Sequence, residues 1–70
     1  MTKKEFLEEF RLLEVNYIKT IKNEIKDVWF DEFKDMTKEN FHKCIINCIK
    51  AEKTFPTINK VNDINDIWLV

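Results

Sequence analysis

The sequence has no glycine, no serine and a single proline, Pro56. Tight hairpins and sandwich corners draw on residues that adopt positive φ freely or arrive with φ preset, so their scarcity argues against an all-β fold and leaves helices. With no serine and only one histidine, His42, the usual nucleophile and base pairings have little to be built from. No catalytic residue is expected, and a chain this short leaves little concave volume once its core is filled.

Charge of one sign is not in excess either. Twelve Lys and Arg against thirteen Asp and Glu give a net charge of −1, and every basic residue but Arg11 is lysine. That is not the footprint of a protein that tracks phosphates, so no direct nucleic-acid partner is expected. Long apolar runs are missing: nothing approaches the roughly 18 residues of a membrane span. Lys3 and Lys4 are followed by Glu5, Glu8, Glu9 and Arg11 instead of an apolar stretch. The expectation is a protein that neither enters a membrane nor is exported, and so is cytoplasmic.

Cys44 and Cys48 are the two cysteines. Four apart on one helix, they stack one above the other in a geometry that suits a disulfide poorly. With His42 the lone histidine, they also fall short of the four ligands of a structural zinc site. They read as reduced thiols in a core, with no metal and no cofactor implied.

What is present points to a folded domain. Apolar residues make up 44% of the 70, with six Phe and two Trp, too many for a disordered tail and enough for one small core. Thr2 and Glu5 form a capping box at a helix start. Phe6, Phe10, Leu13, Tyr17 and Ile21 then recur every three or four residues as one inward stripe, flanked by Leu7. Ile25, Val28, Trp29 and Phe33 continue that period. One helix of about 33 residues would be roughly 50 Å long and could not be covered by what remains. A break is therefore expected between about Asn16 and Lys22, among the weaker helix formers Asn16, Thr20 and Asn23.

Thr37 is the next N-cap, followed by Phe41, Cys44, Ile45, Cys48 and Ile49 on one face. Pro56 disfavours helix at Phe55, which sets the expected end of this helix near Thr54. Thr57 can cap a short fourth helix in which Ile58, Val61 and Ile64 or Asn65 share a face. The fold class expected is all-α, a small bundle of three to four short helices. Residues 1–66 form the helical domain and 67–70 an apolar C-terminal end.

Three features suggest contact surfaces. Glu24, Asp27, Asp31 and Asp35 fall three or four apart, and like charges so placed oppose helix formation. They read most simply as a solvated face eased by Lys22, Lys26 and Lys34; the functional alternative is an acidic ridge for a basic partner. Trp29 and Phe30 are adjacent and cannot both face one core, which makes Phe30 the candidate interface anchor. Ile64, Ile67, Trp68 and Leu69 form an apolar end that must pack on the core, pair with a second copy or enter a partner.

Three segments in order, Thr2-Lys3-Lys4-Glu5-Phe6-Leu7, Val28-Trp29-Phe30-Asp31-Glu32-Phe33 and Phe55-Pro56-Thr57-Ile58, give the chain a resemblance. Over about residues 2 to 65 it resembles the phage replicative-helicase loader/inhibitor family, by the order and spacing of segments and not by any single motif. The resemblance implies a small helical domain without enzymatic activity. Such a protein binds the hexameric replicative helicase in the cytoplasm of a bacterial host, holds it inactive, and delivers it to an origin-bound initiator. The abundance of Lys, Ile and Asn is a bias associated with AT-rich genomes, including those of phages.

Members of that family continue past the helical domain into a tail that carries much of the helicase contact, where this sequence reaches Val70. Ile64, Ile67, Trp68 and Leu69 would then act as a shortened tail, or the contact has moved to the folded surface, or the partner has changed. The partner expected is a helicase or its loader. Two readings stand beside this one. The chain could instead be a helical inhibitor of another host machine, such as a nuclease defence system, or a structural module that self-associates through Trp68 and its neighbours.

Overall fold

A computed structural model describes the backbone of residues 1–68 and the side chains of residues 1–65. Four helices follow one another: α1 (Lys3–Tyr17), α2 (Asn23–Phe33), α3 (Lys38–Ala51) and α4 (Ile58–Trp68). Among the described residues there is no strand, and the expected all-α bundle is realised with four helices.

Local chemistry sets each helix start. The Thr2 hydroxyl accepts the Glu5 N–H at 3.1 Å, and the Glu5 carboxylate accepts the Thr2 N–H at 2.8 Å. That backbone N–H holds the Glu5 carboxyl below its ordinary pKa. Thr37 Oγ1 accepts the Asn40 N–H at 3.2 Å, and Thr57 Oγ1 accepts the Lys60 N–H at 3.2 Å. These three caps satisfy donors that the first helical turn leaves without partners. Lys22, the N-cap of α2, makes no side-chain cap hydrogen bond.

The break after Tyr17 lies within the expected interval, but weak helix formers do not make it. Ile18 takes up a left-handed conformation, φ 53° and ψ 54°. The Lys19 N–H donates to the Glu14 carbonyl at 2.9 Å, and the Ile18 N–H to the Val15 carbonyl at 3.3 Å. This pair of bonds is a Schellman closure, usually built on glycine, here built on a β-branched residue. The Glu14 side chain then fixes the turn. Its carboxylate accepts the Ile21 N–H at 2.9 Å and meets the Lys26 ammonium at 3.2 Å, while Glu14 itself is buried.

Helix α3 ends at Ala51, short of the expected Thr54, with Glu52 already extended at φ −115°, ψ 132°. The chain between α3 and α4 must be extended to lay Phe55 on the core. The Phe55 ring sits 5.8 Å from that of Tyr17, 6.0 Å from Phe10 and 6.1 Å from Trp29, and Pro56 is buried beside it. The carbonyl of Glu52, freed by the helix ending, accepts the Tyr17 hydroxyl at 2.7 Å. The proline therefore sets the limit of the helix, and packing of Phe55 ends it earlier.

The core is aromatic at its centre. Phe6 and Phe41 lie 5.5 Å apart, Phe33 and Phe41 5.5 Å, and Phe10 meets Trp29 edge to face at 5.1 Å. Such stacked, tilted and edge contacts add to the gain from burial alone. Helix α3 comes closest to its neighbours, α1 on one side and α4 on the other. Cys44 and Cys48, both fully buried, are small enough to admit α4, and the Cys44 thiol donates to the Val61 carbonyl at 3.3 Å. Val61 and Ile64 are buried on α4, with Ile58 packed against the cluster. The Cα radius of gyration is 10.9 Å, which matches the roughly 11 Å expected of one close-packed domain of this length.

One part of the expected stripe does not hold. Ile25 and Val28 are 46% and 59% exposed, while Trp29 and Phe33 are buried. Their agreement with the α1 period ran across residues 18–22, which are not helical, so the phase restarts at α2. Trp29 and Phe33 take the inward face with Phe30 half-buried beside them, which leaves Ile25 and Val28 on the flank.

Candidate binding surfaces

No buried side-chain nitrogen or oxygen among the described residues is left without a hydrogen-bond partner. No cluster of three or more His, Cys, Asp or Glu among them could hold a metal ion. Burial pushes the Cys44 and Cys48 thiols up to about 11, so both stay protonated near neutrality.

The acidic side of α2 is divided by its partners. Asp27 is exposed and ion-paired with Lys3, whose ammonium also lies 5.0 Å from the centre of the Phe30 ring. Asp31 is exposed and paired with Lys34 at 3.2 Å. Asp35 is exposed in the turn beyond α2. Lys26, expected to ease this face, turns instead to Glu14. Phe30 is half-buried, its ring edge-on to Phe6 at 5.4 Å. Lys3, Phe30 and Asp27 thus form one small cluster where α1 meets α2, with part of the Phe30 ring accessible.

The C-terminal candidates separate. Ile64 is 5% exposed and belongs to the core, because the spacing of 58, 61 and 64 puts all three on the face of α4 that meets α3. It is not available as a contact. Helix α4 runs on through residue 66 to Trp68. The side chains of Ile67 and Trp68, and the whole of Leu69, lie outside the described residues.

The His42 side chain is half exposed, and its Nδ1 lies 2.6 Å from Glu9 Oε2. Glu9 itself is buried at 7% exposure. Nothing local in the sequence marks this pair, since the two residues sit 33 apart on different helices.

Two further surfaces were not foreseen. A groove of about 450 Å³ runs between α2 and the start of α4, lined by Ile21, Ile25, Trp29, Phe55, Pro56 and Ile58. A second depression, of about 390 Å³, lies at the turn between α1 and α2 and brings together Arg11, Glu14, Val15, Ile18, Lys19 and Lys26. Val15 and Ile18 there are 63% and 92% exposed. The helix break here was expected, but an isoleucine where glycine is usual gave no sign of how the turn closes.

No family model matches the chain, and neither the curated proteins nor the solved structures gave a match.

Proposed function

We propose that this chain is a non-enzymatic, phage-type protein that binds a hexameric replicative helicase or its loader and inhibits it. The observation that carries the reading is the order of three segments: Thr2 to Leu7, Val28 to Phe33, and Phe55 to Ile58. Each supplies a defined part of the domain, namely the α1 cap, the aromatic face of α2 and the cap of α4.

In this reading the contact is made by the accessible part of Phe30 with Asp27, Asp31 and Asp35, joined by Ile67, Trp68 and Leu69. In the free protein Asp27 is ion-paired with Lys3 and Asp31 with Lys34. A basic partner surface would exchange those lysines for its own cations.

The test is affinity capture on the immobilised chain from bacterial lysate, with and without phage infection. Recovery of the replicative helicase or its loader is expected, together with loss of strand unwinding when the purified chain is added. Recovery of neither protein would end the proposal. Truncation after Asn65 keeps Val61 and Ile64 in place and isolates the end of the chain: the expected result is weaker capture, and unchanged capture removes residues 66–70 from the mechanism.

A further inference from the structure

The side chain of Ile18 does nothing for the fold. A left-handed conformation costs a residue with a Cβ about 1–2 kcal/mol, and β-branching makes it worse. Ile18 holds φ 53° and ψ 54° while 92% exposed, so no burial offsets the strain. The bonds that close the turn run through the backbone of Ile18 and Lys19 and would form equally well with glycine or asparagine at residue 18. Val15 stands beside it, 63% exposed, on the rim of the same depression.

The charges around this pair of aliphatics are predominantly basic. Arg11, Lys19 and Lys26 border the depression, and the single carboxylate there, Glu14, is turned to the Ile21 N–H and to Lys26. Among the described residues, Arg11 and Lys19 have no ion-pair partner. On a chain whose net charge is −1, this end is locally basic.

We infer that the depression at the α1–α2 turn docks an acidic segment of a partner protein, one that carries apolar residues to cover Ile18 and Val15 while its carboxylates meet Arg11 and Lys19. Charge complementarity selects the acidic side chains, and Ile18 is the apolar anchor. Nucleic acid fits less well, because the patch offers no aromatic ring for a base to stack on. The inference shares with the proposed function only the premise that the partner is a protein.

Ile18→Asn is the deciding variant, since asparagine enters the left-handed region readily and keeps the turn. Random displayed dodecapeptides are selected on the full chain, and the winners are measured on wild type, I18N and an Arg11→Ala/Lys19→Ala double variant. The winners should be rich in Asp and Glu alternating with apolar residues. Their binding should weaken about tenfold or more on I18N, and fall with added salt on wild type but not on the double variant. Winners without acidic residues, or winners bound equally by I18N, overturn the inference. So does tighter binding at Val15 and Ile18, read from methyl resonances, by a single-stranded oligonucleotide or by phosphatidylglycerol vesicles. If I18N binds the winning peptides as wild type does while both proteins still capture the helicase or loader, this site fails and the proposed function stands. If neither captures them yet I18N still loses the acidic peptides, the function fails and this site stands.

Discussion

Replacing Ile18 should stabilise the protein, an unusual expectation for the removal of an aliphatic side chain. At 92% exposure the side chain contributes almost no burial, so its loss removes nothing from the core. The strain relieved is about 1–2 kcal/mol. Glycine returns part of that, about 0.4–1 kcal/mol, through the larger freedom it gives the unfolded chain. The net gain for Ile18→Gly is then about 0.5–1 kcal/mol, with a similar gain for Ile18→Asn. Ile18→Ala keeps a Cβ in the left-handed region and should stay within about 0.5 kcal/mol of wild type. For a domain of this length the gain corresponds to a rise in Tm of about 2–8 °C. In urea the midpoint should rise by about 0.5–1 M at unchanged slope. If glycine and asparagine lower the midpoint, the Ile18 side chain is making a stabilising contact and the argument from strain is wrong. If alanine gains as much as glycine, the left-handed conformation is not the source of the effect.

Glu14→Ala should cost about 2–3 kcal/mol, because it removes charge-assisted bonds to the Ile21 N–H and to Lys26. Glu14→Gln keeps an acceptor for the N–H and should cost about half as much. Equal losses in chemical denaturation would show that the turn bond is not what matters. Thr37→Ala should cost about 1 kcal/mol by removing the α3 cap, whereas Thr54→Ala, beyond the end of α3 at Ala51, should be silent within about 0.5 kcal/mol. A measurable loss at Thr54 would place the helix end later. The two thiols make stability fall at alkaline pH: buried, they hold their protons up to about 11, against 9.0 for a free thiol. The unfolded chain therefore ionises first, and the contribution present below about pH 9 is lost as pH rises towards 11. A Cys44→Ala/Cys48→Ala variant followed by denaturation across this range should show a shallower decline than wild type, and an identical decline would refute the assignment.

Features that act over three or four residues could be read from the sequence. Thr2 with Glu5, Thr37 and Thr57 cap the helices they were expected to cap, since a cap and its N–H partner are near neighbours. The face of α3 was equally plain, with Phe41, Cys44, Ile45 and Cys48 all buried. What escaped depends on parts of the chain that meet only after folding. The end of α3 was misplaced because Phe55 is drawn towards Phe10 and Trp29, and a proline marks only the last residue a helix can reach. Ile25 and Val28 were assigned inward by a period that crossed a non-helical turn. Nothing in the sequence sets Glu14 apart, yet it is the residue that joins the two ends of that turn. For binding, the sequence marked charge and aromatic density on α2, but no pattern pointed to a strained isoleucine among lysines.

The burial of Cys44 and Cys48 behind α4 also opens a way to watch the molecule at work. Both are free and fully enclosed, so a maleimide dye reaches neither while the helices stay packed. A cysteine introduced on the surface would react alone, and fluorescence or spin labels could be placed one at a time without first stripping the native sulfurs from the core.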